Sequence, residues 1–99
     1  MNFEPKIARI IEQIIAICTK ISNPDEIILY GSRAKGTQME KSDLDIALKG
    51  KNFDIEQLRD EVALIDTLLT VDLVALDHCT NELLKQEVEK DGITLYRKV

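Results

Sequence analysis

Residues 29–50, LYGSRAKGTQMEKSDLDIALKG, decide how this chain folds. They leave an apolar segment, pass through Gly31 and Ser32, cross a polar loop and enter a run where Leu44, Ile46 and Leu48 alternate with Asp43, Asp45, Ala47 and Lys49. A period of two is the pattern of a strand with one apolar face. Aspartate is depleted in strands, and two carboxylates on one face repel each other. Their presence calls for something that offsets the cost: a metal ion, a basic partner or water.

On the N-terminal side, PKIARIIEQIIAICTKI (5–21) places Ile7, Ile10, Ile11, Ile14, Ile15, Cys18 and Ile21 on one helical face. Pro5 suits a first helical turn, where its missing N–H is no loss, and Pro24 ends the helix by pushing its predecessor out of the helical region. EIILY (26–30) then reads as a fully buried strand. On the C-terminal side, a helix is expected from an N-cap at Asp54 to Leu69, with Ile55, Leu58, Val62, Ile65 and Leu69 on one side. TVDLVAL (70–76) is a third strand. TNELLKQEVEKDG (80–92) is a short helix capped by Thr80 or Asn81 and ended by Gly92, and Ile93 and Leu95 in the tail can pack as a short strand or extended segment. The expected fold is α/β, a small mixed β-sheet with helices packed on it, in a single domain over 1–99. The loop between the first two strands leaves that pair antiparallel or mixed. It has no crossover helix, so this is not a Rossmann unit.

The composition, 44 % hydrophobic and 31 % charged, is that of an ordinary globular domain rather than a disordered chain. A net charge of −5 argues against duplex nucleic acid as the main partner, though it leaves room for a local basic pocket that takes a polyphosphate. Cys18 and Cys79 show neither metal-ligand nor redox spacing. No apolar run approaches the roughly 20 residues of a membrane span, and MNFEPKIARI carries no signal-peptide pattern. A cytoplasmic protein with reduced thiols and no membrane partner is expected.

Side chains two apart on a strand point the same way, so Asp43 and Asp45 project from one face, roughly 6 to 7 Å apart at the backbone. Two carboxylates at that spacing can converge on hard cations about 3.5 to 4 Å apart, and oxygen-only ligands suit Mg²⁺. Asp72, between Val71 and Leu73, is a third acid out of place in an apolar strand. If its strand pairs beside that of Asp43 and Asp45, three acids meet and can hold two ions, with Asp72 placed to take a proton from an attacking hydroxyl. Upstream, Gly31 lets the backbone approach a ligand, and backbone N–H groups and the Ser32 hydroxyl can grip phosphate oxygens. Arg33 and Lys35 can neutralise polyphosphate charge. The Walker pattern is absent, since neither Gly31 nor Gly36 leads into Gly-Lys-Ser/Thr.

Gly31-Ser32, followed by Asp43-Leu44-Asp45 and a later strand acid at Asp72, resembles the minimal nucleotidyltransferases (MNT) of the DNA polymerase beta-like superfamily, over essentially the whole chain. The resemblance implies a nucleotidyltransferase, polymerase beta palm-like fold. It implies that Asp43, Asp45 and Asp72 are catalytic and bind Mg²⁺ in a two-ion site, that Gly31, Ser32 and Arg33 bind the nucleoside triphosphate, and that ATP is the substrate. Many members of this size resemble antitoxins of HEPN/MNT pairs. The implied reaction is then AMPylation of a tyrosine of a HEPN-type ribonuclease toxin, in a hetero-oligomer or with a homodimer. Two alternatives stand beside it: an antitoxin that binds nucleotide and masks its toxin without catalysis, and transfer to a small-molecule hydroxyl. His78 reads as a surface residue, Asp77 as a strand terminator, Cys18 as core, and Tyr30 and Tyr96 as packing residues.

Overall fold

The computed structural model describes residues 3–51 and 53–99; Met1 and Asn2, which begin the segment read above for a leader, and Asn52 lie outside the described residues. Helix α1 spans Pro5–Ile21, with Pro5 in its first turn as the sequence predicts, and its isoleucine stripe is buried from Ile7 through Ile14 to Cys18. Strand β1 (Glu26–Tyr30) leads through Gly31 into a single helical turn, α2 (Ser32–Lys35). Strand β2 (Leu44–Lys49), helix α3 (Ile55–Val62) and strand β3 (Val71–Ala75) follow. A 3₁₀ turn at Leu76–His78, helix α4 (Glu82–Asp91) and strand β4 (Ile93–Arg97) complete the chain.

The four strands form one sheet in the order β3-β2-β1-β4. β1 pairs antiparallel with both β2 and β4, and β2 pairs parallel with β3 through the α3 crossover, so the sheet is mixed. Strand alternation sends Ile27, Leu29, Leu44, Ile46, Leu48 and Leu73 to one face, where α1 and α3 cover them with Ile10, Ile14, Cys18, Leu58 and Val62. The other face holds Ile28, Tyr30 and Ala47, packed against Leu76 and against Val88 of α4. Burying an aliphatic side chain of this size is worth about 1.5–3 kcal/mol relative to leaving it exposed. The first face therefore supplies most of the cohesion. The second is left partly open beyond α4, and that open end carries the acids.

Two expectations about the elements need correction. Helix α3 stops at Val62 rather than reaching Leu69, and the following residues form turns. Ile65 and Leu69 still pack on the core, so their helical spacing is met by turn geometry. There the Thr67 hydroxyl accepts the N–H of Leu69 at 3.1 Å, a local bond that competes with a helical ladder. The second correction is an addition: the one-turn helix α2 lies inside what reads from sequence as loop. At the caps, Asp54 accepts the N–H groups of Glu56 and Gln57, and Asn81 rather than Thr80 accepts that of Leu84. Asp77, past the end of β3, accepts the Gly50 N–H at 2.8 Å and ties the far end of β2 to the 3₁₀ turn.

Candidate active site

The parallel pairing of β2 with β3 sets Asp45 opposite Asp72, and the antiparallel pairing with β1 sets Tyr30 on the other side of Asp45. All three stand on the α4 side of the sheet, because Leu44, Ile46 and Leu73 take the other face. Asp43 comes just before β2, at the alternate position to Asp45. Asp45 is half-buried, whereas Asp43 and Asp72 are exposed. Hydrophobic neighbours thus anchor the strands while the acids crowd the end where β1 gives way to its turn.

Among the described residues, no three His, Cys, Asp or Glu side chains are drawn together into a ready-made metal nest. The acids share an end of the sheet, with Asp45 paired in register to Asp72 and Asp43 two positions before Asp45. Carboxylates of one sign keep apart until a counter-charge draws them in. The electrostatics report their proximity all the same. Burial first, and then the negative charges of Asp72, Asp43 and Glu87, push the Asp45 carboxyl above the usual range. The Tyr30 phenol is pushed up to about 12, by burial first and then by Asp45, Asp72, Glu87 and Cys79. Drawn together, the three carboxylates would make an all-oxygen, strongly anionic donor set, the chemistry that a hard divalent cation such as Mg²⁺ takes.

The turn after β1 closes over this end. Gly31 has φ +78° and ψ −157°, a region open essentially to glycine alone. A Cβ placed there would overlap Asp45 Oδ2 and lie 3.2 Å from its Cγ. The absence of a side chain at 31 is what lets the Asp45 carboxylate lie against the turn. The first N–H groups of a helix have no partner within it, so α2 opens with donors beside the acids. The half-buried Ser32 stands at its start and Gly36, in the left-handed conformation, ends it.

The two cations of the turn are used differently. The Arg33 guanidinium donates through Nε to the carbonyl of Ser42 at 3.0 Å and through Nη2 to that of Glu40 at 3.1 Å, bracing the loop that delivers Asp43. Lys35 reaches across to α4, where its Nζ lies 3.3 Å from Oε1 of Glu87. Glu87 is a neighbour of the site that sequence reasoning missed. In KQEVEKD it is one of several charged positions on a short amphipathic helix, and nothing in the spacing marks it. His78 is exposed, Cys18 is fully buried with its thiol pushed up to about 11 by burial, and Tyr30 and Tyr96 pack as expected.

A family model described as polymerase beta, nucleotidyltransferase, matches residues 12–99, and the chain belongs to that family. Among solved structures, it is similar to a chain of a toxin–antitoxin crystal structure with AMP-PNP, at 30 % identity and a TM-score of 0.73, over 89 % of this chain and 73 % of that one. A chain of the MntA-HpeT toxin–antitoxin, in a mutant exchanging two aspartates two positions apart for glutamate, matches at 28 % identity and a TM-score of 0.72, with the same coverage. A complex of a tri-AMPylated Shewanella oneidensis HEPN toxin with its MNT antitoxin shares the fold, with a TM-score of 0.69 at 24 % identity over 92 % of this chain and 72 % of that one. A search of curated proteins returns no match. Among the described residues, no helix is long and apolar enough to cross a membrane.

Proposed function

We propose that this chain is a Mg²⁺-dependent nucleotidyltransferase that passes AMP from ATP to a tyrosine hydroxyl of a HEPN-type toxin, and that it acts as the toxin's antitoxin. The observation that carries the reading is the register that puts Asp45 beside Asp72, with Asp45 seated against a glycine-only turn. Likeness to toxin–antitoxin structures, one of them with AMP-PNP, supports the choice of partner and nucleotide.

In this reading Asp43, Asp45 and Asp72 hold the divalent cation. When bound, Mg²⁺ offsets the carboxylate repulsion, neutralises charge on the phosphates and lowers the pKa of the acceptor hydroxyl. Gly31 keeps the turn close and leaves the Asp45 carboxylate in place. The Ser32 hydroxyl and the opening N–H groups of α2 bind phosphate oxygens of the triphosphate. Arg33 adds positive charge from behind the turn while its donors hold residues 40–42, and Lys35 faces the same space from the end of α2. Asp72, the exposed acid on the edge strand, stands where an acceptor can approach and takes the proton of its hydroxyl. The hydroxyl oxygen then bonds to the α-phosphorus, the bond from that phosphorus to the bridging oxygen breaks, and pyrophosphate leaves. Positioning and charge stabilisation supply the rate.

The test is to incubate the chain with Mg²⁺, α-labelled ATP and the protein encoded beside it. Label on a tyrosine of the partner together with released pyrophosphate is expected; neither product would end the reading. If the chain masked its toxin without catalysis, an Asp45→Asn variant would still neutralise the toxin in cells, whereas the enzyme reading requires neutralisation to be lost.

A further inference from the structure

Glu87 ties α4 to the phosphate turn. Its Oε1 lies 3.3 Å from Lys35 Nζ, and its negative charge reaches both Asp45 and Tyr30. One carboxylate therefore pairs with the last residue of α2 and also acts on the acids of the sheet. The two cations of the turn differ in how they are held. Arg33 is a fork on two carbonyls. Lys35 is held by a single carboxylate in a pair whose side chains are 42 % and 35 % exposed, and ion pairs in such a setting are weak and readily exchanged.

We propose that Glu87 is the counter-ion that Lys35 gives up to a polyphosphate, and that it thereby sets how tightly the site takes its nucleotide. The proposal rests on the nucleotidyl-transfer reading above. Paired with Lys35, Glu87 neutralises it and adds a negative charge near Asp43, Asp45 and Asp72. Both effects oppose the arrival of a polyanion. A bound polyphosphate replaces the carboxylate as partner of Lys35, and the Lys35–Glu87 pair re-forms when pyrophosphate leaves. Glu87 is a positioning residue, since its main effect passes through Lys35. A strut that merely joined α2 to α4 would contribute to stability and leave affinity alone.

The experiment measures binding of ATP in Mg²⁺ by titration calorimetry, with KM and kcat of label transfer alongside, for the natural chain, Glu87→Gln, Lys35→Gln and the double variant. Glu87→Gln is expected to tighten ATP binding and lower KM about five-fold, the order that one unit charge exerts at a half-exposed site at low salt. Raising the salt should shrink the gain, and Glu87→Asp should restore the natural affinity. Lys35→Gln should weaken binding, and adding Glu87→Gln to it should recover much less than five-fold. An unchanged or weaker affinity in Glu87→Gln would overturn the proposal, as would an equal gain without Lys35. If the natural chain transfers label but Glu87→Gln binds ATP as it does, this proposal falls and the function stands. If the natural chain neither binds ATP nor transfers label, both fall.

Discussion

The Asp45 carboxylate occupies the space that a side chain at Gly31 would need, so the turn after β1 and this acid are fitted to each other. Gly31→Ala should therefore harm the site more than the fold. The backbone at φ +78° and ψ −157° costs an alanine on the order of 1–3 kcal/mol, and the Asp45 carboxylate, being the far end of a side chain, must swing away. Denaturant unfolding should show a loss within that range, while Mg²⁺-dependent ATP binding falls below detection. A variant that binds ATP normally would separate the turn from the acid.

The raised pKa of Asp45 fixes the sign of a pH effect. Its folded value lies above its unfolded one, so the folded state binds the extra proton between the two. Stability contributed by this group is present at low pH and is lost as pH rises from the ordinary aspartate value of about 3.9 through the raised folded value. Above that raised value the ionised carboxyl is a cost. Asp45→Asn should raise the Tm at neutral pH, and the gain should fade on acidification below the ordinary aspartate range. Added Mg²⁺ should stabilise the natural chain and not the variant. Thermal melts across pH check both.

Tyr30 extends the same logic to alkaline solution. Its phenol is pushed up to about 12, so it should remain neutral after an ordinary tyrosine, near 10, has ionised. The chain has two tyrosines. Ultraviolet titration of the native protein should resolve a late-ionising phenol, and Tyr30→Phe should abolish the late step. Stability should decline as pH rises from the ordinary value through the raised one.

The brace formed by Arg33 predicts a distinct phenotype. Arg33→Lys keeps the charge but loses the fork to the carbonyls of Ser42 and Glu40. Hydrogen bonds from a charged donor are worth roughly 1.5–3 kcal/mol each. Amide exchange over residues 37–43 should accelerate, label transfer should fall, and the unfolding midpoint should fall with them. Unchanged exchange would show that the loop holds itself.

The thiols give a test of the core. Cys18 is fully buried and its thiol is pushed up to about 11, whereas Cys79 is partly accessible. Under native conditions a thiol reagent should modify Cys79 and spare Cys18, and denaturant should expose both. Rapid modification of Cys18 in the folded state would contradict its placement on the buried face of α1.

Much of this arrangement could be read before any coordinates, because period and punctuation carried it. The isoleucines of α1 recur at helical spacing and can be buried together only as a helix. Asp45 and Asp72 each interrupt an apolar strand, and strand alternation then dictates that both leave the main core. What escaped had no local signal. The end of α3 at Val62 carries no Pro, Gly or Asn, and Ile65 and Leu69 continue the helical spacing although they pack from turns. The brief α2 was marked only by its bracketing glycines, Gly31 and Gly36, whose backbone conformations are visible only in three dimensions. Glu87 meets Lys35 across 52 positions of chain, a pairing that depends on how α4 docks on the sheet.

The most direct measurement is a crystal structure with Mg²⁺ and a non-hydrolysable ATP analogue. Carboxylate oxygens of Asp43, Asp45 and Asp72 should lie at inner-sphere distance, roughly 2.0–2.1 Å, from bound cations that also contact the phosphates beneath the Gly31 turn. Cations bound elsewhere, or the three carboxylates failing to converge with nucleotide in place, would contradict the account.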